Sequence, residues 1–382
     1  MNPNPSSSAG PLRIGAIGAG GFGLFALQQF LQTPHVELAA IAGTHREAAL
    51  AMSLRFGVAD LVETETLLAD PTVDLIYIAT PPFLHYPQAL AALQAGKHVI
   101  CEKPLAMNVA QADELIALAR SKNLLCVANL MQRYNPLFDA VSGVVQTGVL
   151  GECLHGWFEN YASDEGLAAD HWFWDREKSG GIFVEHGVHF FDLFEGWLGV
   201  GEVVAAQRTL RPGSEIGVEE QVQCTVRHAS GPLVNFYHGF TQPSRLDRQE
   251  FRLLFEHGDL TLEEWVPTRA RVRGAVNEAQ TRQLMELFPG ARLDVLKTFG
   301  GRDRVARGRH KDLDISQQID LRHDGGGEGD KMRLYCQLLR SLFADQLAWL
   351  KDRNHPRKIT EQNGRDSVAM AEAATNLSLC SL

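Results

Sequence analysis

An α/β protein is predicted: an N-terminal doubly wound parallel sheet, then a second α/β domain with a large, mostly antiparallel open sheet. Three observations carry this. Short apolar strands alternate with helical stretches up to about Asn129, the pattern of a parallel sheet with crossover helices. A glycine-rich turn separates the first strand from the first helix. From about Gly151 long segments of β-type composition take over, which suits an antiparallel sheet with helices on one face. The expected domains are residues 1–130, with 1–10 as a loose Pro/Ser/Asn-rich tail, and 131–382.

The 382 residues are 45% apolar and 21% charged, enough for two domains with their own cores. A formal net charge of -10 with no long basic run argues against nucleic acid as a partner. The six cysteines form no CxxC pair and read as reduced thiols of a cytoplasmic protein. The first ten residues lack the basic and apolar regions of a signal peptide. No apolar run approaches the ~20 residues that span a bilayer, so no membrane role is expected.

Arg13–Ile17 reads as the first strand and runs into Gly18-Ala19-Gly20-Gly21-Phe22-Gly23, a G-x-G-x-x-G that opens a helix over Phe22–Phe30. Gly18 permits the tight turn, Gly20 lets backbone approach a pyrophosphate, and Gly23 lets helix and strand pack closely. The helix start offers N–H groups to the phosphates. Strand, turn and helix in this order make the motif a dinucleotide site; a plain turn is the competing reading. Val36–Ala42 is the second strand, and an acid about 20 residues past the glycines would hold a ribose 2′-hydroxyl. Here stand Gly43, Thr44, His45 and Arg46. A hydroxyl and cations in place of an acid suit a 2′-phosphate, so the expectation is NADP(H), with NAD(H) as the alternative. Arg46 as no more than the start of a helix to Phe56 is the other reading.

Thr72–Ala79 is a buried strand ending at Thr80-Pro81. A helix over Leu84–Ala95, closed by Gly96, leads to the strand Val99–Cys101 and to Glu102-Lys103-Pro104. A proline cannot donate to a sheet ladder. Lys103 is therefore expected at the C-terminal edge of the strand, where ligands of open α/β sheets bind. Asn108 reads as the N-cap of Val109–Ser121, and Leu124–Asn129 as one more strand. Further on, Gly151–Ala162, Glu202–Leu210, Val218–His228, Leu233–Phe240, Glu250–Glu256 and Leu260–Trp265 read as strands. Gly300–Gly329 reads as a solvated excursion, and two helices, Asp330–Leu350 and Asn363–Leu379, finish the chain.

Ser179 is expected to cap a helix over Ile182–Phe194, apolar nearly all round. On it Glu185, His189 and Asp192 stand at i, i+4 and i+7, one polar stripe on a buried helix. Buried polar groups need partners. The stripe therefore reads as a pocket wall, the alternative being a histidine satisfied by its acidic neighbours. A metal site is not expected, because His186 falls off the stripe and no further ligand cluster appears.

These residues resemble the Gfo/Idh/MocA family, named for glucose–fructose oxidoreductase, inositol dehydrogenase and a rhizopine-catabolism protein. The match rests on the turn at 18–23, Ala79-Thr80-Pro81 with His85, and Gly96-Lys97-His98 leading to Glu102-Lys103-Pro104. It continues through Gln132-Arg133-Tyr134-Asn135-Pro136, Ser179-Gly180-Gly181 and Gly187-Val188-His189-Phe190-Phe191-Asp192. The resemblance implies a Rossmann domain and a C-terminal domain whose open sheet forms a homodimer or homotetramer interface. It also implies hydride transfer at a hydroxyl of a sugar, polyol or inositol-like substrate. Lys103 then matches the active-site lysine and His189 the acid/base histidine. Glu185 takes a place usually held by Asp. Gly18, Gly20, Gly21, Phe22, Gly23, Thr44, His45, Arg46, Ala79, Thr80, Pro81, His85, Glu102 and Lys103 fall to the cofactor, and Arg133, Trp172 and Asp192 to the substrate. Packing in the core is the competing reading for the His171–Trp174 aromatic cluster. A glycoside-cleaving relative using NAD and a non-catalytic cofactor-sensing regulator are the rival functions.

Overall fold

The computed structural model describes residues 10–18, 20–43, 50, 54, 62–164, 166–214, 217–325 and 328–380. The reading of residues 1–10 as a tail falls, for 1–9, outside these, as do the readings of Thr44, His45 and Arg46. Contacts divide the chain into two compact units, Met1–Met131 with Cys336–Val368 and Gln132–Tyr335 with Ala369–Leu382. The expected boundary at 130 falls one residue from the first crossover. The division is not contiguous, however, because Cys336–Val368 belongs with the first unit.

The first unit holds a five-stranded sheet in the order β2-β1-β3-β4-β5, formed by β1 (Leu12–Ile17), β2 (Val36–Ala42), β3 (Leu75–Ile78), β4 (His98–Cys101) and β5 (Cys126–Ala128). Every pairing is parallel. All four residues of β3 are buried, as expected of strands covered on both faces. Helices Gly21–Phe30, His85–Gln94 and Val109–Ser121 supply the crossovers after β1, β3 and β4. Asn108 caps the last of these by accepting from the Gln111 N–H, and Gly96, at φ +79°, takes the left-handed position after the second. Phe30 stacks on Phe343 and meets Tyr77 edge-on, which packs the returning helix Glu328–Lys351 against the sheet's cover.

The second unit is built on nine strands in the order β13-β16-β12-β11-β10-β6-β9-β8-β7. Here β6 is Cys153–Tyr161, β7 Gly201–Leu210, β8 Glu219–His228, β9 Leu233–Gly239, β10 Arg248–Phe255 and β11 Gly258–Glu263. Then come β12 Arg269–Val276, β13 Arg292–Thr298 and β16 Gln317–Asp324; β14 (Val305–Gly308) and β15 (Lys311–Asp314) form a separate hairpin. All pairs in the large sheet are antiparallel except β6 with β9. The reading of Gly300–Gly329 as one excursion is corrected, because β16 lies between β13 and β12. Its Ile319, Asp320 and Leu321 are buried, but the charges of Asp320, Arg322 and Asp324 hid that short apolar core. Helix Val188–Leu198 lies on the inner face, with Phe190 stacked 3.7 Å from Phe158 of β6.

Candidate active site

In the first unit the C-terminal ends of β1, β3 and β4 deliver the glycine turn, Ala79-Thr80-Pro81 and Glu102-Lys103-Pro104 to one edge of the parallel sheet. The three glycines divide the work. Gly18 has φ +96°, and a side chain there would stand 2.5 Å from the Ala79 carbonyl oxygen; one at Gly23 would collide with the Ala79 side chain. Gly20 is different. It is the exposed N-cap of helix Gly21–Phe30, no side chain caps that helix, and a Cβ added to it meets nothing within 4 Å. Uncapped N–H groups behind an open backbone fit a pyrophosphate. Gly21 and Phe22 are exposed beside it. Pro81 starts the single turn Pro82–Leu84, and Thr80 donates to Gln88 at 2.7 Å.

Glu102 is 8% exposed. One of its carboxylate oxygens accepts from the Tyr77 hydroxyl at 2.5 Å and from Asn129 Nδ2 at 2.8 Å. Burial pushes its pKa up, against those two hydrogen bonds and the neighbouring Lys103 charge, which pull it down. Lys103 is half-buried and joined to Pro104 by a cis peptide. His85 is 1% exposed, with Nδ1 2.6 Å from the Pro104 carbonyl oxygen and Nε2 2.7 Å from that of Thr80. Both its ring nitrogens are engaged with backbone.

In the second unit the expected single helix is two pieces, which corrects the stripe reading. Ser179 ends a short helix, Arg176–Ser179, and its hydroxyl accepts from the Gly181 N–H rather than capping the next helix. Phe183–Gly187 is a π-helical turn, and α-helical geometry starts only at Val188. A wider turn changes the phase between Glu185 and His189, so the two are not one α-helical stripe; such turns recur at functional sites. Glu185 is 8% and His189 4% exposed. Arg133 grips Asp192: Nε lies 2.9 Å from Oδ2 and Nη2 2.9 Å from Oδ1, and Nη2 also donates to the Asp192 carbonyl at 2.7 Å. Trp172 is half-buried against His171 and Phe173.

Sequence reading missed the residues that surround His189. Trp265 meets the His189 ring edge-on at 5.0 Å and the His186 ring at 5.3 Å. Its carbonyl accepts from Gln132, and that of Pro267 from Asn135, so the Gln132–Asn135 turn holds the loop carrying this indole. His186 Nδ1 is 3.0 Å from His238 Nδ1. His238 is fully buried, and desolvation pushes its pKa down to about 3. An aromatic at a strand end carries no periodic signal, and the partner of an off-stripe histidine lies 52 positions away. Among the described residues no three His, Cys, Asp or Glu side chains are grouped to hold a metal, and no helix is long and apolar enough to cross a membrane.

Residues 12–130 match an oxidoreductase family with an NAD-binding Rossmann fold, and 138–261 match the C-terminal domain of the same family. A dTDP-3,4-didehydro-2,6-dideoxy-alpha-D-glucose 3-reductase of Streptomyces violaceoruber is 31% identical over 69% of this chain and 76% of its own length. A 1,5-anhydro-D-fructose reductase of Ensifer adhaerens is 32% identical over 54% of this chain, a match that spans only 62% of that enzyme. The structure of the WlbA dehydrogenase of Bordetella pertussis, in complex with NADH and UDP-GlcNAcA, superposes with a TM-score of 0.78 at 18% identity. It covers 99% of this chain and 98% of the other, and shows the shared fold. With both halves of the family pattern present and a sequence relative matched over most of its length, the chain belongs to the Gfo/Idh/MocA oxidoreductase family.

Proposed function

We propose that this chain moves a hydride between a nicotinamide cofactor and a hydroxyl or keto carbon of a sugar, polyol or inositol-like substrate. The observation that carries the reading is the open glycine turn, set at the same sheet edge as Lys103. Named relatives that reduce sugars support the substrate class. When bound, the cofactor supplies the hydride chemistry; the residues aim and protonate. Lys103 donates to the reacting oxygen and steadies the charge that builds on it. His189 exchanges the hydroxyl proton, a task suited to an imidazole near neutral pH. Trp265 offers an aromatic face beside His189 on which the apolar side of a sugar ring packs. Glu185 orients the imidazole or a neighbouring hydroxyl. Arg133 and Asp192 support this wall through their mutual pair. Gly43, with no acid after β2 and Thr44, His45 and Arg46 following it, favours NADP(H) over NAD(H). The large sheet is the surface through which a homodimer or homotetramer would form, in the cytoplasm.

The test is a panel of sugars, polyols and their keto forms with both cofactors, followed by absorbance of the reduced nicotinamide. His189→Asn is expected to lower kcat by roughly 10²–10⁴-fold on the substrate so found, with cofactor affinity little changed. Undiminished turnover in a folded His189→Asn variant overturns the assignment. A higher kcat/KM with NAD(H) overturns the cofactor preference.

A further inference from the structure

His85 lies under the cofactor edge of the first unit, away from solvent, at the start of helix His85–Gln94. Its two ring nitrogens face two backbone carbonyl oxygens at 2.6 and 2.7 Å, those of Pro104 and Thr80. A carbonyl oxygen only accepts. A neutral imidazole has one N–H, so it could satisfy one of these carbonyls and would turn a nitrogen lone pair toward the other. Both contacts are within hydrogen-bond range, and at such separations two lone pairs repel. Both are satisfied together only when both nitrogens carry a proton, and hydrogen bonds from a charged donor are the shorter and stronger kind.

We propose that His85 is held as a buried imidazolium that clamps the Thr80 carbonyl to the Pro104 carbonyl and so fixes the backbone on which Lys103 stands. It is a positioning residue acting through Lys103, and the proposal rests on the reading that Lys103 serves the reaction. Desolvation at this buried site and the positive end of its own helix both oppose a cation here. Two charge-assisted hydrogen bonds to buried carbonyls, one of which would otherwise face a lone pair, offset them. Charged and titratable groups stand on the helices and strands packed around it, among them Lys97, bonded to the Asp70 and Val73 carbonyls, and Lys122, bonded to that of Gln94. Glu102 holds Tyr77 and Asn129, Glu114 holds the Tyr86 hydroxyl, and Asp113 is paired with Arg365. His98 accepts from the Leu125 N–H, and burial, with the Arg353 charge adding, pushes its pKa down to about 4. The Cys101 thiol is pushed up by burial. Lys103 follows β4, and Arg120 ends helix Val109–Ser121.

Two measurements test this on the whole chain. In ¹⁵N-histidine-labelled protein, the resonances absent from the His85→Gln spectrum are expected to show two N–H protons at pH 7, above the ordinary histidine pKa of ~6.5. A single-proton, neutral tautomer at pH 7 overturns the imidazolium. For the second measurement, His85→Gln is compared in wild-type and Lys103→Met backgrounds. Acting through Lys103, it lowers kcat roughly tenfold or more in the first and by less than twofold in the second, since residues that serve as a unit are not additive. Equal loss in both backgrounds overturns the positioning role. Should His85→Gln not fold, His85→Asn takes its place in both experiments. If Lys103→Met itself turns over like wild type, the assignment of Lys103 falls, while the proton count at His85 still decides the clamp.

Discussion

Glu102 and Asp192 are both nearly buried carboxylates, 8% and 2% exposed, one at the sheet edge of the first unit and one on the helix wall of the second. Their partners differ in kind. Asp192 faces a full counter-charge from Arg133, with a hydrogen bond at Oδ2 and an ion-pair contact at Oδ1. Glu102 faces the neutral donors Tyr77 and Asn129 and keeps a raised pKa. A buried charge given a full counter-charge is fixed as a charge and serves as a brace. A buried acid given neutral donors is held ionised less firmly, because burial outweighs those donors and the Lys103 charge beside them. The second arrangement stands directly before the lysine to which the reaction is assigned, and the first stands one turn beyond the histidine. The same functional group thus does structural work in one unit and carries a raised pKa in the other.

The largest effect expected from this contrast is at Arg133. Arg133→Met strands the Asp192 carboxylate in the core, and breaking such a pair from one side costs about 3–5 kcal/mol. Arg133→Met combined with Asp192→Leu is expected to recover most of that, because neither charge is then left unpaired. Urea midpoints at constant slope measure both. A single-variant loss under ~1 kcal/mol, the scale of an exposed pair, would show that Arg133 is no brace.

A mid-sized effect separates packing from use within the glycine turn. Gly23→Ala drives a methyl into Ala79 and is expected to cost about 1–3 kcal/mol of stability by overpacking. Gly20→Val adds bulk where nothing stands within 4 Å. It should change stability by less than ~1 kcal/mol while weakening cofactor binding at least tenfold, about 1.4 kcal/mol. Thermal unfolding without cofactor and a cofactor titration report the two separately. Equal cofactor affinity in folded Gly20→Val removes the pyrophosphate from this turn.

The first unit was legible because its signals are local. Gly18, Gly20 and Gly23 lie within one turn, Asn108 caps the next residue's helix, and the apolar run at Val99 stops at a proline. In the second unit the signals are long-range. Strand β16 carries alternating charge, so it reads as loop, and only its pairing with β12 and β13 makes it a strand. The polar stripe on Ile182–Phe194 was drawn with the period of an α-helix, and nothing in the residues announces the π turn at Phe183–Gly187. Trp265 reaches the site through a loop held by Gln132 and Asn135, 133 and 132 positions away from the residues they bind. The roles of Glu102 and His85 were legible as motif positions but not as contacts. A motif says that a residue is placed; only the fold says that Glu102 meets Tyr77 and that His85 meets two carbonyls.

The smallest effect sharpens the opening comparison through pH. Because burial raises the folded pKa of Glu102 above its ordinary 4.5, the unfolded chain loses this proton first as pH rises. The stabilisation is full below the unfolded value and is lost as pH climbs through the folded one. Glu102→Gln keeps an oxygen to accept from Tyr77 and Asn129 but has no proton to lose. Wild type and variant should therefore be closest in stability near pH 4, with the variant gaining on wild type as pH rises toward neutrality. Two other groups slope the opposite way in both proteins. His98 and His238 are held neutral with folded values of about 4 and about 3, so the stability they contribute above pH 6.5 is lost as pH falls. Subtracting the two profiles cancels that background, and the difference curve isolates Glu102. A difference that stays flat from pH 4 to 8 would mean that the neutral donors, with Lys103 beside them, hold Glu102 ionised as firmly in the folded chain as water does in the unfolded one. The contrast with Asp192 would then rest on geometry alone.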